Sequence, residues 1–179
     1  MRRSICVCEP NHAFAGDSGT WKFIYTTASQ LPKGAKLRFD LLSSGRPIDW
    51  QIPQTNLKEK SNLIWAELPG GKPLAATQVQ NPEMPGAPSY EFVLPLELKS
   101  GDQFTILLGS PEKDAKKGIT CQKFVQRRRP FNLFIDPKGK GDYKEHEVFH
   151  LDVRGNQLKT LRIVAPSLVS RNKRFDVVV

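Results

Sequence analysis

Histidine and cysteine are scarce in this chain, long apolar runs are missing, and no helical periodicity of apolar residues is convincing. Three Cys and three His are spread over 179 residues. An odd cysteine count without paired spacing excludes a disulfide scaffold. No stretch approaches the ~20 apolar residues of a membrane-spanning helix. The start, MRRSICVCEP, has the basic residues of a signal peptide, but its apolar run stops at Glu9, short of the ~7–15 residues of a signal core. These absences lead to the expectation of a cytoplasmic chain with reduced thiols and no membrane contact. There is no G-x-S-x-G elbow and no phosphate-cradling Gly loop, and neither a repeat nor a low-complexity segment.

What is present is a period of two. Tyr90, Phe92, Leu94 and Leu96 alternate with Glu91, Val93, Pro95 and Glu97; Phe104, Ile106 and Leu108 with Thr105, Leu107 and Gly109; and Phe131, Leu133 and Ile135 with Asn132, Phe134 and Asp136. Such alternation marks a strand with one buried face. Lys99-Ser100-Gly101-Asp102 is a turn between the first two runs, and Asp136-Pro137 closes the third. Ile5 to Cys8 reads as a short strand. Trp21, Phe23 and Tyr25 form another, and Leu37, Phe39 and Leu41 face inward on the next, with Lys36, Arg38 and Asp40 outward. The short connection between these last two predicts neighbours in one sheet. Residues 63–68 and 119–126 read as further strands. Residues 43–53 read as an edge strand or packed loop, and 72–89, with its prolines, as a long surface loop. Residues 148–153 and 158–165 flank the turn Arg154-Gly155-Asn156-Gln157 as a hairpin.

Eight to ten short strands with little or no helix predict an all-β, antiparallel β-sandwich of immunoglobulin-like or jelly-roll-like type. A single domain is expected over 1–179. Within it, 1–18 form an N-terminal strand and loop, and 166–179 a linker or the first strand of a downstream domain.

The formal charge is +9, and it is uneven: residues 1–100 carry 11 Lys and Arg against 9 Asp and Glu, whereas residues 101–179 carry 16 against 9. The excess falls near Arg127, Arg128 and Arg129, near Lys138 and Lys140, and near Arg171, Lys173 and Arg174. These are the candidate anion-binding residues. The competing reading is a charged sheet edge guarded against aggregation. No recognised nucleic-acid motif accompanies the cations, so the guarded edge is favoured.

Several segments carry a resemblance in order: Gly19-Thr20-Trp21, Gly45-Arg46-Pro47, Gly101-Asp102 leading to Ile106-Leu107-Leu108-Gly109, Gln122-Lys123-Phe124, Phe134-Ile135-Asp136-Pro137-Lys138-Gly139 and Val164-Ala165-Pro166-Ser167. Over most of 19–179 the chain resembles the N-terminal β-sandwich region of an uncharacterised bacterial family. The long members of that family carry, further along, a metal-dependent hydrolase domain of the polymerase-and-histidinol-phosphatase (PHP) type. The resemblance implies an accessory sandwich. It transfers no active-site residue, because the family's metal site lies in the downstream domain and needs more His than this chain has.

Three local patterns compete with that reading. His146-Glu147-Val148-Phe149-His150 satisfies H-E-x-x-H, which on a helix binds zinc and would make a peptidase. Here Phe149, Leu151 and Val153 alternate as on a strand, where residues four apart lie ~13 Å from each other, so the match is read as coincidental. Cys6-Val7-Cys8 with His12 is too tightly spaced for a usual zinc half-site and reads as buried, inert cysteine. Trp21 and Trp65 read as core. Trp50, beside Arg46 and Asp49, is the candidate exposed binding aromatic. No cofactor is expected. The chain reads as a non-catalytic interaction module with a protein partner, ahead of a stand-alone module for an anionic ligand such as nucleic acid.

Overall fold

The period-two runs fold as strands whose apolar faces meet. The computed structural model describes residues 3–112, 117–143, 145–156 and 174. The strands run β1 (Ile5–Glu9), β2 (His12–Phe14), β3 (Ser18–Gly19), β4 (Trp21–Thr26), β5 (Lys36–Asp40), β6 (Leu63–Glu67), β7 (Pro73–Ala75), β8 (Thr77–Gln80), β9 (Pro88–Val93), β10 (Gln103–Gly109), β11 (Ile119–Thr120), β12 (Gln126–Asp136) and β13 (Glu145–Arg154). One sheet has the order β1-β4-β10-β6-β7, the other β2-β13-β12-β5-β9-β8, and β3 pairs with β11. The pairings are antiparallel apart from β2 with β13. There is no α-helix among the described residues, and so none long and apolar enough to cross a membrane. The fold is an all-β sandwich, as the alternation predicts.

Aromatic side chains fasten the two sheets. Phe23, on β4 of one sheet, lies 5.0, 4.8 and 5.5 Å, centroid to centroid, from Phe39, Phe131 and Phe149 of the other. Phe104 meets Phe92 across the same gap at 5.5 Å. All six rings are fully buried, and such edge and tilted contacts add to the gain from burial alone.

The sheet borders are joined by very short links. Residues 10–11 carry the chain from β1 in one sheet to β2 in the other, and Ala76 carries it from β7 to β8. The stretch 72–89 is therefore not a long loop. Of its four prolines, Pro73 and Pro88 are the first residues of border strand β7 and of β9, where proline is tolerated. Pro82 and Pro85 fall in the short connection between β8 and β9.

Several further expectations are corrected. β4 and β5 do not share a sheet. Their connection crosses between the two, held midway where Leu31 bridges to Leu98, and both of these leucines are buried. Arg38 and Asp40 point away from the interior yet are covered. The Arg38 guanidinium lies 4.5 Å from the Phe134 ring centre and 4.6 Å from that of Tyr143. Asp40 accepts from Asn81 Nδ2 at 3.1 Å. On β1 the cysteines face inward as expected, Cys8 buried and Cys6 half-buried, while Ile5 and Val7 are exposed. Strand 119–126 shrinks to Ile119–Thr120. At the arginine run β12 pairs with β13 alone, because β5 reaches only Asn132–Asp136 of β12, so the run does lie on a local sheet border. The second hairpin strand, 158–165, and most of 166–179 lie outside the described residues.

Phe23→Ala is expected to lower the free energy of unfolding by about 3–5 kcal/mol, and Phe23→Leu by less, since Leu refills part of the space. Urea unfolding followed by tryptophan fluorescence measures both.

Candidate interaction site at one end of the sandwich

The site begins with Gln122. Its side chain is fully buried. It accepts from Trp50 Nε1 at 3.2 Å and donates to the Phe124 carbonyl at 3.0 Å and to Gln126 Oε1 at 3.2 Å. A buried amide that satisfies both its ends is held firmly. It holds residues 121–125 off the sheet after β11, with Cys121 and Gln122 inward and Lys123, Phe124 and Val125 outward. Phe124 is 41% exposed and Val125 64%.

The next residues are set by a bulge. The register with β13 shifts between Gln126 and Arg129, and Arg128 takes a positive φ of 51°. Its backbone N–H donates to Asp152 Oδ1 at 2.9 Å. An inserted residue cancels one step of the side-chain alternation. Arg127 and Arg128 therefore both face solvent, and Arg129 alone turns in.

Three hollows adjoin along this segment. One, about 450 Å³, is lined by Arg46, Asp49, Ile52, Thr120 and Lys123 among others. The second, about 780 Å³, lies between Ala15–Asp17, Lys123–Val125 and Gly155–Asn156. The third, about 400 Å³, is bounded by Val125, Arg127, Asp152 and Arg154. Lys123 is shared by the first two, and Val125 and Gly155 by the last two. The result is a groove with an apolar middle and charged walls.

Some of the wall charges are neutralised. Arg46 holds Asp49 through two 2.9 Å bonds. That pairing, helped by Ser44, holds the Asp49 carboxyl down at about 2. Arg154 lies 3.9 Å from Asp152, and Asn156 donates to Asp17 at 2.8 Å. Among the described residues no carboxylate pairs with the side chains of Lys123, Arg127 or Arg128.

The residues named from sequence divide. Trp50 is not an exposed aromatic. It is fully buried, edge-on to Trp21 at 4.9 Å and to Phe131 at 5.6 Å. Its neighbours Arg46 and Asp49 do line the groove. Trp65 is buried on the opposite face of its sheet, with Leu63 and Leu107. Arg129 is not available to a ligand: its Nη2 donates to the carbonyls of Leu41 and Leu42 at 2.8 and 3.3 Å, and burial pulls its pKa down to about 10. Lys138 and Lys140 sit beyond the far end of β12, roughly 30 Å from Arg127 by strand rise. Arg174 is exposed and coil, and Arg171 and Lys173 lie outside the described residues. The cations therefore do not form one patch.

His146 and His150 lie on β13, a strand. Glu147 alternates to the face opposite both of them, and His146 stacks on Phe134 at 4.6 Å. Among the described residues no group of three His, Cys, Asp or Glu is placed to hold a metal ion. Phe124, Val125 and Gln122 were missed as site residues. The signal available was the pair of adjacent apolar residues at 124–125, which breaks the alternation.

No family model matches the chain, and no solved structure matches it. It is 48% identical over 185 residues to an uncharacterised protein of Chlamydia muridarum. It is 47% identical over 183 residues to one of Chlamydia pneumoniae, and 47% over 185 residues to one of Chlamydia trachomatis. Each match takes in the whole of this chain, which spans 29% of the length of these relatives.

Two outcomes follow from these surroundings. Cys6, Cys8 and Cys121 are free thiols, and burial pushes each up to about 12. Because the thiolate is the reactive form, native protein at mildly alkaline pH is expected to resist iodoacetamide and to take up three equivalents once unfolded; mass spectrometry counts them. Asp136, which caps the 138–141 turn, is buried, and burial raises its pKa. The backbone N–H groups of Gly141, Lys138, Asp142 and Gly139 outweigh that and bring it below the ordinary value. Its contribution is therefore present above the unfolded carboxyl pKa and lost as pH falls through the lower folded one. Asp136→Asn is expected to flatten the acid-side loss of stability in a melting series against pH.

Proposed function

We propose that this chain is a non-catalytic β-sandwich module of a longer protein, which docks on a hydrolase-type catalytic domain or on another protein. The observation that carries the reading is the end groove, where Phe124 and Val125 stand exposed on a sandwich whose own aromatic core is complete without them. An adjacent apolar pair standing in a groove is read as a contact patch, whereas singly exposed residues such as Leu57 and Val93 call for no such reading. The 29% span of the relatives supports membership in a longer chain, and the family resemblance supports a PHP-like domain as the body it joins.

Support for a non-catalytic role comes from the chemistry of the groove. Its walls carry apolar, charged and amide groups, and its one hydroxyl among the named lining residues, that of Thr120, is bonded to Ser18 Oγ rather than to a base. Three free thiols fit a reducing compartment, and the proposed location is the cytoplasm. A nucleic-acid module is not favoured, since Arg129 is buried and Lys138 and Lys140 stand at the other end. Elution from heparin at low salt is expected.

The test starts from the full reading frame, in which a His-rich continuation is expected. The module and that continuation, made as two polypeptides, are expected to co-elute on gel filtration. Separate elution, with the module's melting temperature unchanged on mixing, would overturn docking within the chain.

A further inference from the structure

We propose that the end groove holds an extended segment of the partner protein in which apolar side chains are flanked by aspartate or glutamate. The proposal rests on the docking reading above and adds the surface and the chemistry of its occupant.

The shape argues for a linear ligand. The three hollows are strung along one run of backbone, residues 120–127, and share Lys123, Val125 and Gly155. A chain laid along that run meets them in sequence, as a globular knob would not. The middle offers Phe124 and Val125, 41% and 64% exposed. Covering them removes apolar surface from water, so the occupant carries apolar side chains at its centre.

Charge sets the flanks. Arg46 is already matched by Asp49 and Arg154 by Asp152, which leaves Lys123, between two hollows, and Arg127, lining the third, without a carboxylate among the described residues. Complementary carboxylates on the occupant would meet these cations and set its register. Asp17, whose side chain accepts from the neutral amide of Asn156, also lines the groove. A nucleic-acid strand, charged at every phosphate, meets that carboxylate. A peptide places its acids opposite the cations and neutral backbone over Asp17.

The test is selection from a phage-displayed library of random peptides against the whole chain. Selected sequences are expected to carry Asp or Glu on both sides of large apolar residues. Val125→Asp, and separately Lys123→Glu with Arg127→Glu, are expected to weaken the best peptide by about tenfold or more. All three positions are solvent-facing, so melting temperature should hold and report intact folding. Selection of nothing, selection without acidic enrichment, or binding indifferent to Val125→Asp would overturn the proposal, as would stronger competition by a single-stranded oligonucleotide than by the peptide. Val125→Asp in the two-polypeptide assay separates this idea from the one beneath it. Co-elution that survives the substitution leaves docking in place and removes it from this groove.

Discussion

One interdigitation governs this molecule: Phe23 from the five-stranded sheet seated among Phe39, Phe131 and Phe149 of the six-stranded one. A sandwich holds only if both inner faces bury each other at close-packed density. These four rings come from β4 and β5 early in the chain and from β12 and β13 late in it, so satisfying them fixes which strands lie opposite which. Trp21, Trp50 and Phe131 continue the same contact toward the end of the sandwich. Trp50 in turn orients Gln122. The surface groove is thus a downstream result of core packing, because the amide beside the outward-facing residues 123–125 is itself held by a core tryptophan.

The inner faces were legible because period-two alternation is a direct record of one-sided burial. Trp21, Phe23, Tyr25, Leu37, Phe39, Phe104, Ile106, Phe131 and Leu133 all face inward as their spacing requires. What could not be read was which sheet each strand joins. β4 and β5 alternate equally well whether they neighbour or oppose each other, and adjacency along the chain was the wrong guide. The outer face of β5 was also misread. Arg38 and Asp40 are polar, which normally signals solvent, yet aromatic stacking and an amide partner cover them. Border strands such as β7 and β8, three and four residues long, are too short for alternation to show.

The candidate site was the least legible part, and the reason is local. The arginine run looked like a unit because its members are consecutive. A single bulged residue separates them, sending two to solvent and one to the carbonyls of Leu41 and Leu42. The buried guanidinium satisfies acceptors where Leu42 adopts a positive φ, so it serves the fold. Trp50 was misjudged for a related reason. It sits in an irregular, proline-flanked stretch, and irregular backbone was taken as surface, although that stretch is folded back across the end of the core.

The links at residues 10–11 and at Ala76 have a further consequence. Each ties one sheet's border to the other's, and the strands they join are only three to five residues long. A foreign strand seeking to extend either sheet finds a brief run of unpaired backbone that soon turns a corner. Inside a crowded polypeptide with other β-rich neighbours, such a body resists recruiting strands by mistake, and its associations are left to side chains.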